Sequence, residues 1–170
     1  MKIQWVSSTL LLAAVAVSSS VFAAEAVVTW QDPENYTDIK ATDSDQQEFQ
    51  TQLFGVLDEE FTRQAKDLKE GSSLAITVTN FDMAGDVRQV QGGDIMRVVI
   101  GNYYPQMTLN YTLTDASGAV LSQQQDVNYK DQGFYSGSAS LRASQSSNDF
   151  YYETTMIRSW FAELKRELKK

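Results

Sequence analysis

The chain has 170 residues, and its 14 lysines and arginines against 22 aspartates and glutamates give a net charge of −8. This charge argues against a general affinity for nucleic acid, because phosphate binding needs a basic surface. The absence of cysteine and histidine excludes disulfides, thiol catalysis, lipid attachment at a cysteine, and histidine-based triads or zinc sites. No glycine-rich phosphate loop follows a predicted strand, so we expect no bound cofactor.

The first residues have the pattern of a cleavable export signal. A short positive segment precedes an apolar run over residues 6–17, and Val21 and Ala23 provide the small side chains required before the cut. The run is shorter than the roughly 20 residues of a membrane span. We predict cleavage between Ala23 and Ala24, release into a bacterial periplasm without a membrane span or lipid anchor, and one globular domain over residues 24–170.

The first part of the predicted domain has the pattern of strand, helix, strand. β-Branched and aromatic residues at 26–30 predict a strand, which a proline-bearing turn ends. Ser44 and Gln47 have the spacing of a capping box, and apolar residues then recur every three or four positions up to a stop at Gly71. Alternating apolar and polar residues predict the second strand at 73–82.

The second part predicts three further strands and a last helix. Its elements are a glycine-bearing connection at 83–94, strands at 95–100, 107–114 and 119–128, a mobile loop at 132–148 and a helix from Asp149. Two amphipathic helices need an apolar sheet face to cover. We therefore predict a two-layer α+β domain, with a mostly antiparallel sheet of about five strands packed by two helices in the order β-α-β-β-β-β-α.

Acidic residues form two groups that have the side chains for catalysis or cation binding. One group follows the first strand and the other follows the second: Asp32, Glu34 and Asp38, then Asp82, Asp86 and Asp94. Carboxylate pairs act in glycoside hydrolysis and oxygen ligands bind calcium, but the spacing favours neither and no EF-hand pattern is present. The alternative is that Asp32 and Asp82 cap turns while Gly85 supplies a positive φ.

Two further features are candidates for surface contacts. The last helix has a basic C-terminal part, a pattern that fits anionic lipid headgroups but also fits the helix dipole. Against Glu163 and Glu167 it carries Arg158, Lys165, Arg166, Lys169 and Lys170. The aromatic pairs Tyr103-Tyr104 and Tyr151-Tyr152 have the character of groove linings, although such residues more often pack in a core.

Several short segments carry a resemblance to a known family. They are Val28-Thr29-Trp30-Gln31-Asp32-Pro33-Glu34, Tyr36, Asp38-Ile39, Asp82-Met83-Ala84-Gly85-Asp86-Val87, Arg97-Val98-Val99, Tyr104-Pro105, Tyr152-Glu153 and Trp160-Phe161. With these segments the chain resembles the bacterial exported family called domain of unknown function 3016, over nearly all of its length after the export signal. The resemblance implies an exported domain and names no activity.

These observations favour a non-catalytic binding or envelope-accessory protein of the periplasm. Its partner would be a peptide, an envelope component or another protein subunit, and a free sheet edge would allow strand addition. A carboxylate-dependent hydrolase is one alternative, provided that both acidic groups share a cleft, and a membrane-surface protein is another. The candidate functional surface consists of Trp30, Asp32, Glu34, Asp38, Asp82, Asp86, Tyr103 and Tyr104.

Overall fold

The computed structural model describes residues 23–136 and 138–170. Residues 1–22, which carry most of the predicted export signal, lie outside the described residues. The elements in chain order are β1 (Glu25–Trp30), a 3₁₀ turn (Pro33–Asn35), α1 (Gln46–Ala65), β2 (Ser73–Asp82), β3 (Asp86–Gln89), β4 (Ile95–Val98), β5 (Gln106–Thr114), β6 (Val120–Lys130), α2 (Ala139–Ser144) and α3 (Tyr151–Glu167). No helix in the described part of the chain has the length and apolar character of a membrane span.

The main sheet has four strands in the order β1-β2-β5-β6. β1 runs parallel to β2, whereas β2 with β5 and β5 with β6 are antiparallel. A parallel pair needs a crossover connection, and α1 provides it here. The predicted α+β class and the mostly antiparallel sheet are confirmed, but this sheet has four strands rather than about five.

The sheet has one apolar and one polar face because side chains alternate along each strand. Leu74, Ile76 and Val78 of β2 are buried together with Leu109 and Leu113 of β5. The intervening positions of β5 are Thr108, Asn110, Thr112 and Thr114, which are half-buried on the opposite face. The two long helices therefore have one apolar face to cover.

The two long helices lie side by side on this apolar face. Phe61 of α1 packs edge-on against Trp30 of β1 and against Trp160 of α3, with ring centroids 6.4 and 6.1 Å away. Trp160 in turn contacts Tyr111 of β5 at 5.7 Å. Thus α1 covers the β1 side of the sheet, and α3 covers the β5 side. The predicted inward residues of α3 from Met156 to Leu164 are buried.

Both ends of α1 differ from the prediction. The N-cap is Asp45 rather than Ser44, and its carboxylate accepts from the backbone N–H groups of the second and third helical residues at 2.9 and 3.1 Å. A carboxylate at this position also complements the helix dipole. The helix ends at Ala65, where tighter turns begin, and Gly71 adopts its positive φ of 75° later, just before β2.

The segment expected to be a connection contains a strand. β3 pairs with β4 as a separate two-stranded sheet, so the strand predicted at 95–100 ends at Val98 and does not join the main sheet. β3 was missed because Asp-Val-Arg-Gln has no apolar alternation.

The loop predicted at 132–148 also contains structure. It includes α2, and its Phe134 is buried and packs edge-on against Tyr152 at 5.2 Å. α3 begins at Tyr151, two residues after the expected start.

Candidate functional site

The Trp30 side chain joins the edge strand β1 to the helix α1. Its indole stacks on Phe54 with centroids 4.4 Å apart, and its Nε1–H donates to Asp58 Oδ1 at 2.9 Å. The ring is half-buried and also packs edge-on against Phe81. Trp30 therefore acts first as a packing residue, and it orients the Asp58 carboxylate.

Asp32 and Glu34 are exposed just beyond the end of β1. Asp32 adopts a left-handed conformation (φ 49°, ψ 51°), and its side chain makes no capping hydrogen bond, contrary to the turn-cap interpretation. Its backbone carbonyl accepts from Asn35 N–H at 2.9 Å instead. Among the described residues, neither carboxylate forms an ion pair.

Asp38 lies with the second acidic group rather than with the first. Its backbone forms a parallel bridge to Asp82 at the end of β2. Its carboxylate accepts two hydrogen bonds from the Arg97 guanidinium, at 2.8 and 3.2 Å, and Arg97 also donates to the Lys40 carbonyl at 3.2 Å. This bidentate pair fixes β4 against the loop that precedes α1.

A buried glutamate completes the attachment of the β3–β4 hairpin. Glu153 of α3 is 3% exposed, and its Oε1 accepts from Ala84 N–H at 2.9 Å. Burial raises the pKa of Glu153, while the Ala84 hydrogen bond and the charge of Arg97 act in the opposite direction. We call Asp38, Ala84, Arg97 and Glu153 the hairpin anchor. Sequence reasoning missed Arg97 and Glu153 as functional residues, although both lie in segments that carry the family resemblance.

Asp82 and Asp86 of the second acidic group also have side-chain partners. Asp82 accepts from Gln106 Nε2 at 2.7 Å, and burial raises the pKa of Asp82. Asp86 pairs with Arg88 at 2.9 Å, and the Arg88 guanidinium lies 5.0 Å from the centroid of the Tyr103 ring. Within residues 23–136 and 138–170, no group of three or more acidic side chains is placed to hold a metal ion.

The two aromatic pairs differ in their surroundings. Tyr103 is exposed, whereas Tyr104 is half-buried. Tyr151 and Tyr152 pack edge-on at 5.7 Å beside the buried Phe134. The structure therefore gives the second pair a packing contact and leaves Tyr103 at the surface.

Two of the basic residues of α3 are held in ion pairs. Arg158 donates to both oxygens of the buried Glu60, at 2.9 and 3.2 Å, and Lys165 pairs with Asp67 at 3.1 Å. These contacts link α3 to α1 and to the turn that follows it. Two of the five basic residues predicted for a surface contact therefore have a structural role, because they hold α3 to neighbouring elements.

The two edges of the main sheet differ in how open they are. On β6, a bulge shifts the register opposite Leu109 and Tyr111, and Asp126 has a φ of 53° with its N–H bound to Asn110 Oδ1 at 2.8 Å. Such bulges protect an edge strand from further pairing. β1, in contrast, pairs with β2 through all six residues without a shift.

The outer side of β1 carries unpaired backbone groups. The N–H of Glu25 donates to the carbonyl of Ser72, just before β2, at 3.1 Å, and the N–H of Gln31 donates to the carbonyl of Val78 in β2 at 2.9 Å. Because successive residues of a strand alternate, the N–H and C=O groups of Ala26, Val28 and Trp30 point away from β2. In the part of the chain that the structure describes, no strand pairs with this side.

Asp58 lies on α1 beside this open edge. Burial raises the pKa of this half-buried carboxyl, and the Trp30 hydrogen bond opposes the shift. Asp58 also lines an open cleft of about 670 Å³ between α1 and α3, whose lining includes Glu59 and Lys66 of α1 and Arg158 of α3. Sequence reasoning missed Asp58 because a single aspartate on the polar side of a helix forms no pattern.

These features define a small two-layer α+β domain with a mixed sheet, an open edge strand and an ionic hairpin anchor. The family model described as "Protein of unknown function (DUF3016)" matches residues 24–163. The chain therefore belongs to this family, and the resemblance noted in its sequence is confirmed. A search among curated proteins finds no match.

Proposed function

We propose that the chain is an exported, non-catalytic binding module that takes up an extended peptide as an additional strand beside β1. The observation that carries this proposal is the outer side of β1, where the backbone groups of Ala26, Val28 and Trp30 have no partner among the described residues. An extended peptide supplies complementary N–H and C=O groups. β1 also lacks the lysine, proline or bulge that commonly protects an edge.

Three coinciding boundaries support export. The predicted cut lies between Ala23 and Ala24, the family match begins at residue 24, and β1 begins at Glu25. Ala24 is also 6% exposed and belongs to the core. Removal of residues 1–23 would therefore leave all of β1 intact.

The charge of the chain favours a basic peptide. Glu25 lies at the start of β1, and Asp32 and Glu34 are exposed beyond its end. Together with the net charge of −8, these carboxylates attract lysine and arginine side chains and speed their encounter.

A direct test uses residues 24–170 and a labelled octapeptide of alternating lysine and valine, at physiological salt so that weak surface attraction is screened. We expect saturable binding by fluorescence anisotropy, with NMR shift changes centred on the amides of Ala26, Val28 and Trp30. Two further peptides carry N-methyl groups on the odd or on the even residues. One of them should lose binding by about tenfold or more while the other keeps it, because only one set of N–H groups faces β1.

A matched pair of variants tests the same edge from the side of the protein. Val28→Pro removes an outward N–H and leaves the hydrogen bonds between β1 and β2 in place. Val28→Ala also removes the valine side chain but keeps that N–H. We expect the alanine variant to bind and the proline variant to fail, with both variants folded by circular dichroism. Equal binding by both variants, or equal binding of both N-methylated peptides, would contradict strand addition.

A further inference from the structure

Asp58 is an oriented carboxylate without a cationic partner. Its Oδ1 accepts from Trp30 Nε1–H at 2.9 Å, and the indole is itself held by stacking on Phe54 at 4.4 Å. Within the described residues, Oδ2 accepts no hydrogen bond and the carboxylate forms no ion pair. The geometry of Asp58 is therefore fixed while half of its binding capacity is free.

Two other carboxylates of this domain that are removed from solvent have arginine partners, whereas the half-buried Asp82 and the buried Glu153 accept from uncharged donors. Asp38 is paired with Arg97, and the buried Glu60 is paired with Arg158. A carboxylate that loses water without gaining a cation destabilises the folded chain. Asp58 bears this cost in the unliganded protein, and a positive group from a partner would offset it.

The position of Asp58 places it beside the open strand edge. Glu60 contacts α3 through Arg158, and Asp58, two residues earlier, contacts β1 through Trp30. Residues two apart point in nearly opposite directions from a helix axis, and the Trp30 contact places Asp58 on the flank of α1 that faces β1. A strand added to β1 places its inward side chains about 5 Å from those of β1, next to this flank.

We infer that Asp58 selects the added peptide by binding a lysine or arginine side chain, an inference that rests on the function proposed above. The free Oδ2 accepts a charge-assisted hydrogen bond from the cation. Of the other charged residues lining the same cleft, Arg63 and Arg158 are paired with Glu60. Lys66 opposes such a cation, and Glu59 attracts it from an exposed position.

The test compares the lysine–valine octapeptide with a copy in which norleucine replaces every lysine. We expect wild-type protein to bind the lysine peptide at least about tenfold more tightly. Asp58→Asn keeps an oxygen acceptor for Trp30 and removes the charge, so this ratio should fall several-fold while affinity for the norleucine peptide is unchanged. Glu59→Gln removes the same charge from the neighbouring exposed position and should retain most of the preference for lysine.

The outcomes separate this inference from the proposed function. If Asp58→Asn keeps the full preference for lysine while both peptides bind, the inference is wrong and strand addition stands. If neither peptide binds wild-type protein, the proposed function fails and the inference fails with it. In the unliganded chain, Asp58→Asn should raise the melting temperature at pH 8. A lower melting temperature would contradict the inference, because it would show that the Asp58 charge stabilises the fold.

Discussion

At the scale of residues, single polar contacts join segments that are far apart in the chain. Arg97 binds the Asp38 carboxylate and the Lys40 carbonyl, and Glu153 accepts from Ala84 N–H across 69 positions. Charged groups in such bonds contribute more than neutral ones when they are shielded from water. The base of the β3–β4 hairpin therefore depends on a few side chains rather than on a large apolar area.

Gly85, inside the segment 82–87, is the residue whose replacement we expect to loosen this base most. It has a φ of 86°, and a Cβ at this position would lie 2.7 Å from the Val98 carbonyl oxygen. Gly118 has a similar φ of 84° with open space around it. We expect Gly118→Ala to cost about 1 kcal/mol through backbone strain alone, and Gly85→Ala to cost about 3 kcal/mol because of the added clash. Urea unfolding of both variants measures the difference, and equal losses would contradict the clash.

The residue-level contacts differ in how far the sequence could predict them. The positive φ of Gly85 was anticipated from its turn-like context and is confirmed. The partner of Arg97 was not, because Asp38 lies 59 positions away and nothing in local spacing connects them. Neighbouring residues determine local conformational preferences, whereas ion pairs depend on which segments the fold brings together.

At the scale of elements, the start of α1 shows how two adjacent candidates compete for one role. Ser44 and Asp45 both have side chains suited to capping, and the structure uses the carboxylate of Asp45. The capping-box spacing from Ser44 to Gln47 was therefore misleading by one residue. Helix boundaries are poorly determined by pattern because neighbouring cap residues have similar free energies.

Replacing each of these two residues by alanine tests whether Asp45 is the N-cap. Asp45→Ala removes the acceptor of two backbone N–H groups and should lower the free energy of unfolding by about 1 kcal/mol. Ser44→Ala removes a hydroxyl that precedes the cap, so we expect a change of a few tenths of a kcal/mol at most. Chemical denaturation of both variants decides between them, and a larger loss for Ser44→Ala would restore the original capping box.

The β3–β4 hairpin is the element that the sequence predicted least well. A two-stranded sheet has little stability alone, and its first strand has no apolar periodicity. Its presence depends on the hairpin anchor, in which Arg97 of β4 and Ala84 just before β3 bind Asp38 and Glu153 from distant parts of the chain. β2 and β5, in contrast, have clear alternation, and the structure places them as adjacent central strands.

At the scale of the whole molecule, several carboxyl groups make stability depend on pH in an unusual direction. Burial raises the pKa of Asp58, Asp82, Asp131 and Glu153 above their ordinary values of 3.8 for aspartate and 4.5 for glutamate. A raised pKa in the folded state means that folding favours the protonated form. The resulting stability is fully present below the ordinary pKa and is lost as pH rises through the raised pKa.

We therefore expect the free energy of unfolding to increase as pH falls from the neutral range through the raised pKa values towards the ordinary values of 3.8 and 4.5. The lower net negative charge reduces self-repulsion in the same range. Asp115 acts in the opposite direction, since hydrogen bonds from Ser117 and Ala119 lower its pKa, but this contribution is lost only below its ordinary value of 3.8. Urea titrations at pH 8, 6.5 and 5 measure the trend.

A variant at Glu153 provides the control for this pH dependence. Glu153→Gln retains an oxygen for Ala84 N–H and removes the titrating group, so its stability should change less between pH 8 and 5 than that of wild type. The prediction is wrong if the wild-type chain is less stable at pH 5 than at pH 8, or if the variant shows the full wild-type slope.

The sequence by itself determined the two-layer α+β class, the two long helices and the main strands, because periodic burial is written in neighbouring residues. The same is true of the family, through short segments such as the one that contains Trp30. The tertiary structure alone decided that Asp38 pairs with Arg97. It also decided that, among the described residues, β1 is an open edge and Asp58 lies beside it without a cation. These features depend on strand order and on contacts between distant segments, which follow from the packing of the whole chain.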